Sequence, residues 1–119
     1  MILIVDDDPA ITTLLKLSFE LEGHLVITAT NGGEALELAR QVHPAAMVVD
    51  VMMPEMDGLE LIRRLRANSL TADIPIVCLS AKALASEIDE GLAAGADEYV
   101  TKPCDFDDLV KRVQLRLVE

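Results

Sequence analysis

The chain is short of cysteine, of basic residues and of long hydrophobic runs, and each shortage excludes a class of protein. Its two cysteines, Cys78 and Cys104, cannot build a disulfide framework and have no metal-ligand spacing. Ten basic residues stand against 21 acidic ones, a formal net charge of −11. Phosphate contacts need a basic patch, so nucleic-acid binding by this chain is not expected. No apolar run reaches the roughly 18 residues of a membrane span. The apolar residues Ile2 to Val5 are followed at once by three aspartates, with no basic region before them, so no signal peptide is expected. The default location is the cytoplasm. Linkers, repeats and low-complexity segments are also missing. The acidity itself suits solubility, or a divalent cation drawn to clustered carboxylates.

What is present is a full core. Hydrophobic residues make up 51% of the 119 residues, enough to fill one domain and too few for two. Short apolar runs alternate with stretches of helical period. ILIV (Ile2 to Val5), LVITA (Leu25 to Ala29), AMVVD (Ala46 to Asp50), IPIVCL (Ile74 to Leu79) and EYV (Glu98 to Val100) read as strands. Pro9 to Leu21 reads as a helix with Ile11, Leu14, Leu15, Ser18 and Leu21 on one face, capped by Asp8. Asn31 with Glu34, and Asp57 with Glu60, have capping-box spacing for the next two helices, the second running through Leu65. A helix within Leu84 to Ala94 ends before Gly95, and a last one after Asp105 carries Leu109, Val113 and Leu117. Five repeats of strand and helix predict an α/β fold, a doubly wound parallel sheet with helices on both faces.

The polar residues fall at the carboxyl ends of these strands. Asp6, Asp7 and Asp8 follow the first, Asp50 ends the third, Ser80 follows the fourth and Lys102 the fifth. In a parallel sheet those ends share one edge, the usual ligand crevice, and strand order 2-1-3-4-5 would make the aspartates converge. Asp8 is accounted for as a helix cap. Asp6 and Asp7 are not, and neighbouring carboxylates call for a cation; oxygen donors of this kind suit Mg²⁺. Lys102 is a counter-charge for Asp50. Met52 and Met53 read as core or loop filler, and thioether is a poor Mg²⁺ ligand, so a metal contact at Met52 would use its backbone carbonyl. Gly58 suits a tight start to a helix. His24 and His43 carry no chemistry, and Cys78, in an apolar strand, is inert. A carboxylate, a metal, a hydroxyl and a lysine on one edge make a phosphoryl-transfer site, with Asp50 as nucleophile and no general base required.

The segments ILIVDDDP, VVDVMMPEMDG, IVCLSA and YVTKP resemble, in order and spacing, the receiver domain of two-component response regulators, the CheY-like family. The resemblance covers essentially the whole chain and implies one receiver domain over residues 1–119, with a flavodoxin-like five-stranded fold. It implies Asp50 as phosphoacceptor, Asp6, Asp7, Asp50 and the Met52 carbonyl as Mg²⁺ ligands, and Ser80 and Lys102 as phosphoryl-handling residues. It further implies Ser80 and Tyr99 as a switch pair, with Tyr99 turning inward on phosphorylation to alter the face made by the fourth helix, fifth strand and fifth helix. The expected partner is a histidine kinase or histidine phosphotransfer protein; a downstream protein, a fused output domain or a phosphorylation-dependent homodimer would read the signal. Such a chain catalyses its own phosphorylation and slow dephosphorylation but is primarily a signalling switch. The alternative is a degenerate receiver used only for docking, which the full set of charged residues disfavours. An aspartyl-phosphate phosphatase would want an acid where Met52 stands, and a dinucleotide fold would want glycines in the first turn, where DDDPAIT has none.

Overall fold

A computed structural model describes residues 1–53 and 55–117. Strands β1 (Ile2–Val5), β2 (Val26–Ala29), β3 (Ala46–Val49), β4 (Ile76–Ser80) and β5 (Glu98–Thr101) alternate with helices α1 (Pro9–Leu21), α2 (Gly32–Val42), α3 (Gly58–Ala67), α4 (Ala85–Ala94) and α5 (Phe106–Arg116). The strands form one parallel sheet in the order β2-β1-β3-β4-β5. The register sets Val5 opposite both Ala29 and Val49, Val49 opposite Cys78, and Ser80 opposite Thr101. The carboxyl ends of β1, β2 and β3 therefore lie level, β4 and β5 run on past them to Ser80 and Thr101, and whatever follows the five strands meets along one edge.

Alternation along the strands divides the core in two. Leu3, Val5, Met47, Val49 and Cys78 face Ala35 and Ala39 of α2 and Leu61, Ile62 and Leu65 of α3. Ile2, Ile4, Val48, Val77 and Leu79 face Leu15 and Phe19 of α1 and Leu109, Val110 and Val113 of α5. The three central strands are apolar at successive positions because both of their faces are covered.

Local chemistry sets the helix starts. Asp8 Oδ1 accepts the Ala10 N–H at 2.9 Å, and Pro9 opens α1 without the N–H that would have lacked a partner. Asn31 Oδ1 accepts the Glu34 N–H at 2.8 Å, but the Glu34 carboxylate takes the Thr30 N–H instead of closing a box on Asn31. Asp57 caps α3 through the Glu60 N–H, while the Glu60 carboxylate turns to Arg64.

Several boundaries and one helix face differ from the sequence reading. β4 begins at Ile76, not Ile74, because Ile74 donates its N–H to the Thr71 carbonyl in a turn and Pro75 has no N–H to give a ladder. It then runs through Ser80, which is a strand residue rather than the residue after one. β3 stops at Val49 and leaves Asp50 just beyond it. α3 continues past Leu65 to Ala67. On α1 the buried residues are Thr12, Leu15 and Phe19; Leu14 is exposed and Leu21 is 85% exposed. The helix is rolled so that the Phe19 ring is the group buried against the sheet, which removes more apolar surface from water than Leu21 would.

The opposite edge of the sheet is closed by Arg66 of α3. Its guanidinium donates to the carbonyls of Gly95, Ala72 and Ile74 and to Asp97 Oδ2, and Asp97 Oδ2 also accepts the Ile76 N–H. One side chain thus satisfies carbonyls from the α3–β4 and α4–β5 connections. Among the described residues no helix is long and apolar enough to cross a membrane.

Candidate functional site

Asp6 directly follows β1 and Asp50 directly follows β3, and these strands are neighbours in register. Their carboxylates and that of Asp7 come together, with one oxygen from each lying within 4.8 Å of the others. Asp6 and Asp50 are 2% and 6% exposed, whereas Asp7 is exposed. Asp6 Oδ1 accepts the Asp8 N–H at 2.9 Å, and Asp50 Oδ1 accepts the Met52 N–H at 3.0 Å. Lys102, one residue past β5, brings its Nζ to 3.1 Å from Asp6 Oδ2 and 3.4 Å from Asp50 Oδ2. The peptide bond between Lys102 and Pro103 is cis.

The charges do not balance: three carboxylates face one ammonium. Burial raises the pKa of Asp50, the Met52 N–H works against that rise, Asp6 adds to it, and Lys102 opposes it; the net direction is upward. For Lys102, burial disfavours the charge, but the Asp50 and Asp6 carboxylates outweigh it and hold the ammonium above the usual lysine value. The residual negative charge, carried by hard oxygen donors, fits a small divalent cation.

Ser80 closes β4 on this edge and is fully buried. Its Oγ accepts the Lys82 N–H at 3.1 Å. Tyr99 pairs with Cys78 across β4 and β5, and its phenol donates to the Lys82 carbonyl at 2.8 Å. Its ring is half-buried against the α2–α3 side of the core. The open mouth of the site is lined by Asp7, Val51, Met52, Met53, Asp57 and Lys82. Met52 is 50% exposed and Met53 is buried; only the latter fills the core. Burial, with the nearby Asp50 carboxylate, pushes the Cys78 thiol up to about 12.

Gly58 has a reason other than a tight helix start. A Cβ there would collide with the Asp50 carbonyl oxygen and come within 2.7 Å of Val51 Cα. The Gly58 N–H also donates to the Val51 carbonyl at 3.0 Å, so α3 begins pressed onto the backbone that carries Asp50. His43 pairs with Asp73, and His24 contacts Gln114 and the edge of Phe19; both are remote from the site. The sequence reading missed the Lys82 backbone, which connects Ser80 to Tyr99 through main-chain atoms that every residue type possesses.

Comparison with known proteins shows the family and the fold. The family model described as "Response regulator receiver domain" matches residues 2–114. The DNA-binding dual master transcriptional regulator RpaA of Synechocystis is 40% identical over 98% of this chain and 48% of its own length. The response regulator MprA of Mycobacterium leprae is 44% identical over 98% of this chain and 50% of its own. The chain thus spans about half the length of these curated relatives. The solved structure of the Vibrio cholerae chemotaxis protein CheY4 superposes with a TM-score of 0.91 at 32% identity, covering 98% of this chain and 97% of that one.

Proposed function

The chain belongs to the response regulator receiver domain family, and on that premise we propose that residues 1–119 act as one receiver domain whose phosphoacceptor is Asp50. The observation that carries this reading is the position of the Asp50 carboxylate. It is nearly buried just past the carboxyl end of a central strand, beside Asp6 and Asp7, with its Oδ2 facing Lys102. The carboxylate is already a nucleophile and needs no base. A carboxylate oxygen attacks phosphorus of a phosphohistidine on a kinase or phosphotransfer protein. The P–N bond breaks, its electron pair stays on the imidazole, and an acyl phosphate forms on Asp50.

The residues that would hold Mg²⁺ are Asp6, Asp7 and Asp50, with the Met52 carbonyl. The ion, when bound, supplies positive charge against the phosphoryl oxygens. Lys102 supplies a second cation on the same side, and the Ser80 hydroxyl, whose oxygen only accepts in its contact with the Lys82 N–H, would donate its hydrogen to a phosphoryl oxygen. Tyr99 and the Lys82 loop carry the change to the surface formed by α4, β5 and α5, where a downstream partner, a fused output domain or a second copy reads it. The setting is the cytoplasm. With a net charge of −11 the chain itself is unsuited to DNA contact.

The test is phosphorylation with acetyl phosphate and Mg²⁺, followed by intact mass. One phosphoryl addition is expected in the wild type, none without Mg²⁺, and none in D50N. An undiminished addition in D50N would sink the assignment.

A further inference from the structure

Gly91 lies in the interior of α4 and is buried. Glycine there weakens a helix relative to alanine, so its presence needs a reason. Backbone conformation is not that reason. The positive φ at this end of the helix belongs to Gly95, at +127°, and Gly91 carries none. The reason is space. A Cβ on Gly91 would lie 2.6 Å from Cδ2 and 2.7 Å from Cε2 of Tyr99, well inside van der Waals contact. The edge of the Tyr99 ring rests directly on the α4 backbone.

The position of that ring has consequences at the site edge. With the ring on Gly91, the phenol reaches the Lys82 carbonyl at 2.8 Å, and the N–H of the same residue holds Ser80 Oγ at 3.1 Å. Four residues from α4, β5, the β4–α4 loop and β4 are thereby linked in series. We propose that Gly91 is a positioning residue, the hole left by its missing side chain being the seat that admits the Tyr99 ring and so fixes the Lys82 loop against Ser80. The role assigned to the loop rests on the reading of Ser80 and Tyr99 as a switch pair; the seat itself does not.

Tyr99 is the sole tyrosine of the chain, so 3-fluorotyrosine labelling yields one ¹⁹F resonance to follow. In folded G91A that resonance is expected to move toward its position in the urea-unfolded protein, and to stay there after addition of acetyl phosphate and Mg²⁺. Alanine ordinarily favours a helix over glycine, which gives a second readout with a sign. G91A should lower the melting temperature when Tyr99 is present and raise it in the Y99A background. If G91A does not fold while G91A/Y99A does, the ring contact is again the cause. An unmoved resonance in folded G91A, or a melting shift of the same sign in both backgrounds, would overturn the proposal. Intact mass of the same samples separates the two readings. A resonance moved by G91A, with no phosphoryl uptake in wild type or variant, would defeat the phosphoacceptor reading and still support the seat.

Discussion

Lys102 stands closer to Asp6 than to Asp50: its Nζ is 3.1 Å from Asp6 Oδ2 and 3.4 Å from Asp50 Oδ2, across a separation of 96 residues in the first case. One ammonium is therefore shared by two nearly buried carboxylates, and it serves the fold as well as the proposed chemistry.

That sharing predicts a double loss in K102A. Removing one partner from buried charges leaves the others uncompensated, at a cost of roughly 1–3 kcal/mol for groups that keep some access to water. K102A should therefore unfold at lower urea in EDTA, and it should also phosphorylate poorly where it remains folded. Added Mg²⁺ should restore much of the stability and little of the phosphorylation. Normal phosphorylation in K102A would remove Lys102 from the proposed chemistry.

The raised pKa of Asp50 predicts that D50N is more stable than wild type when no metal is present. Between the ordinary carboxylate value and the raised one, the folded chain holds a proton that the unfolded chain has lost. Stability falls as pH rises through that window, and the cost persists at neutral pH. Asparagine removes the charge and keeps an acceptor for the Met52 N–H. In EDTA at pH 7 the melting temperature of D50N should rise by a few degrees, since ~1 kcal/mol shifts it by roughly 4 °C in a domain of this size. In Mg²⁺ the gap should close or reverse, because the ion binds the native wild type more tightly. A lower melting temperature for D50N in EDTA would contradict this.

Gly58 and Gly33 make a matched pair for a packing test. An added Cβ at Gly58 meets backbone of Asp50 and Val51, which cannot swing aside, whereas at Gly33 the nearest atom is Asn31 Oδ1 at 3.5 Å. G58A should cost about 1–3 kcal/mol and slow phosphoryl uptake by displacing the Asp50 backbone. G33A should stay within about 0.5 kcal/mol of wild type and phosphorylate normally. Equal behaviour of the two variants would show that the Gly58 contact relaxes without cost.

The mouth of the site predicts a long-lived acyl phosphate, lasting minutes to hours. Hydrolysis needs a water in line with the Asp50–phosphorus bond. The side chains of Met52 and Lys82 line that opening, and neither accepts a hydrogen bond of useful strength from water. Lys82 can instead pair with the phosphoryl group. M52N and K82E, separately and together, should shorten the lifetime measured by intact mass after donor removal. A wild-type lifetime of seconds, or no acceleration in the double variant, would remove these two residues from control of the water.

The strands and helices were legible because their signals are local. Apolar runs such as ILIV and the central IVCL need two covered faces, and Asp8-Pro9, Asn31 and Asp57 satisfy helix N–H groups within a few residues of themselves. Strand ends were less legible: Pro75 and the Thr71 turn moved the start of β4, and a one-residue shift put Ser80 inside it. Periodicity marked α1 as amphipathic yet did not say which way it rolls. That depended on the shape of the sheet beneath it, which took Phe19 and left Leu21 in water.

The sequence by itself determined that an acidic pair, a further aspartate, a serine and a lysine follow or close strands, because strand ends are written in the order of residues and a parallel sheet must bring such ends to one edge. Only the tertiary structure decided how they share it. Lys102 divides its charge between Asp6 and Asp50, the Lys82 main chain ties Ser80 to Tyr99, Arg66 gathers carbonyls from two connections, and the missing side chain of Gly91 makes room for a ring. The first joins side chains far apart in the chain, and the others depend on backbone atoms or on empty space between segments. Residue type at a single position encodes neither, so they come into being when the layers pack.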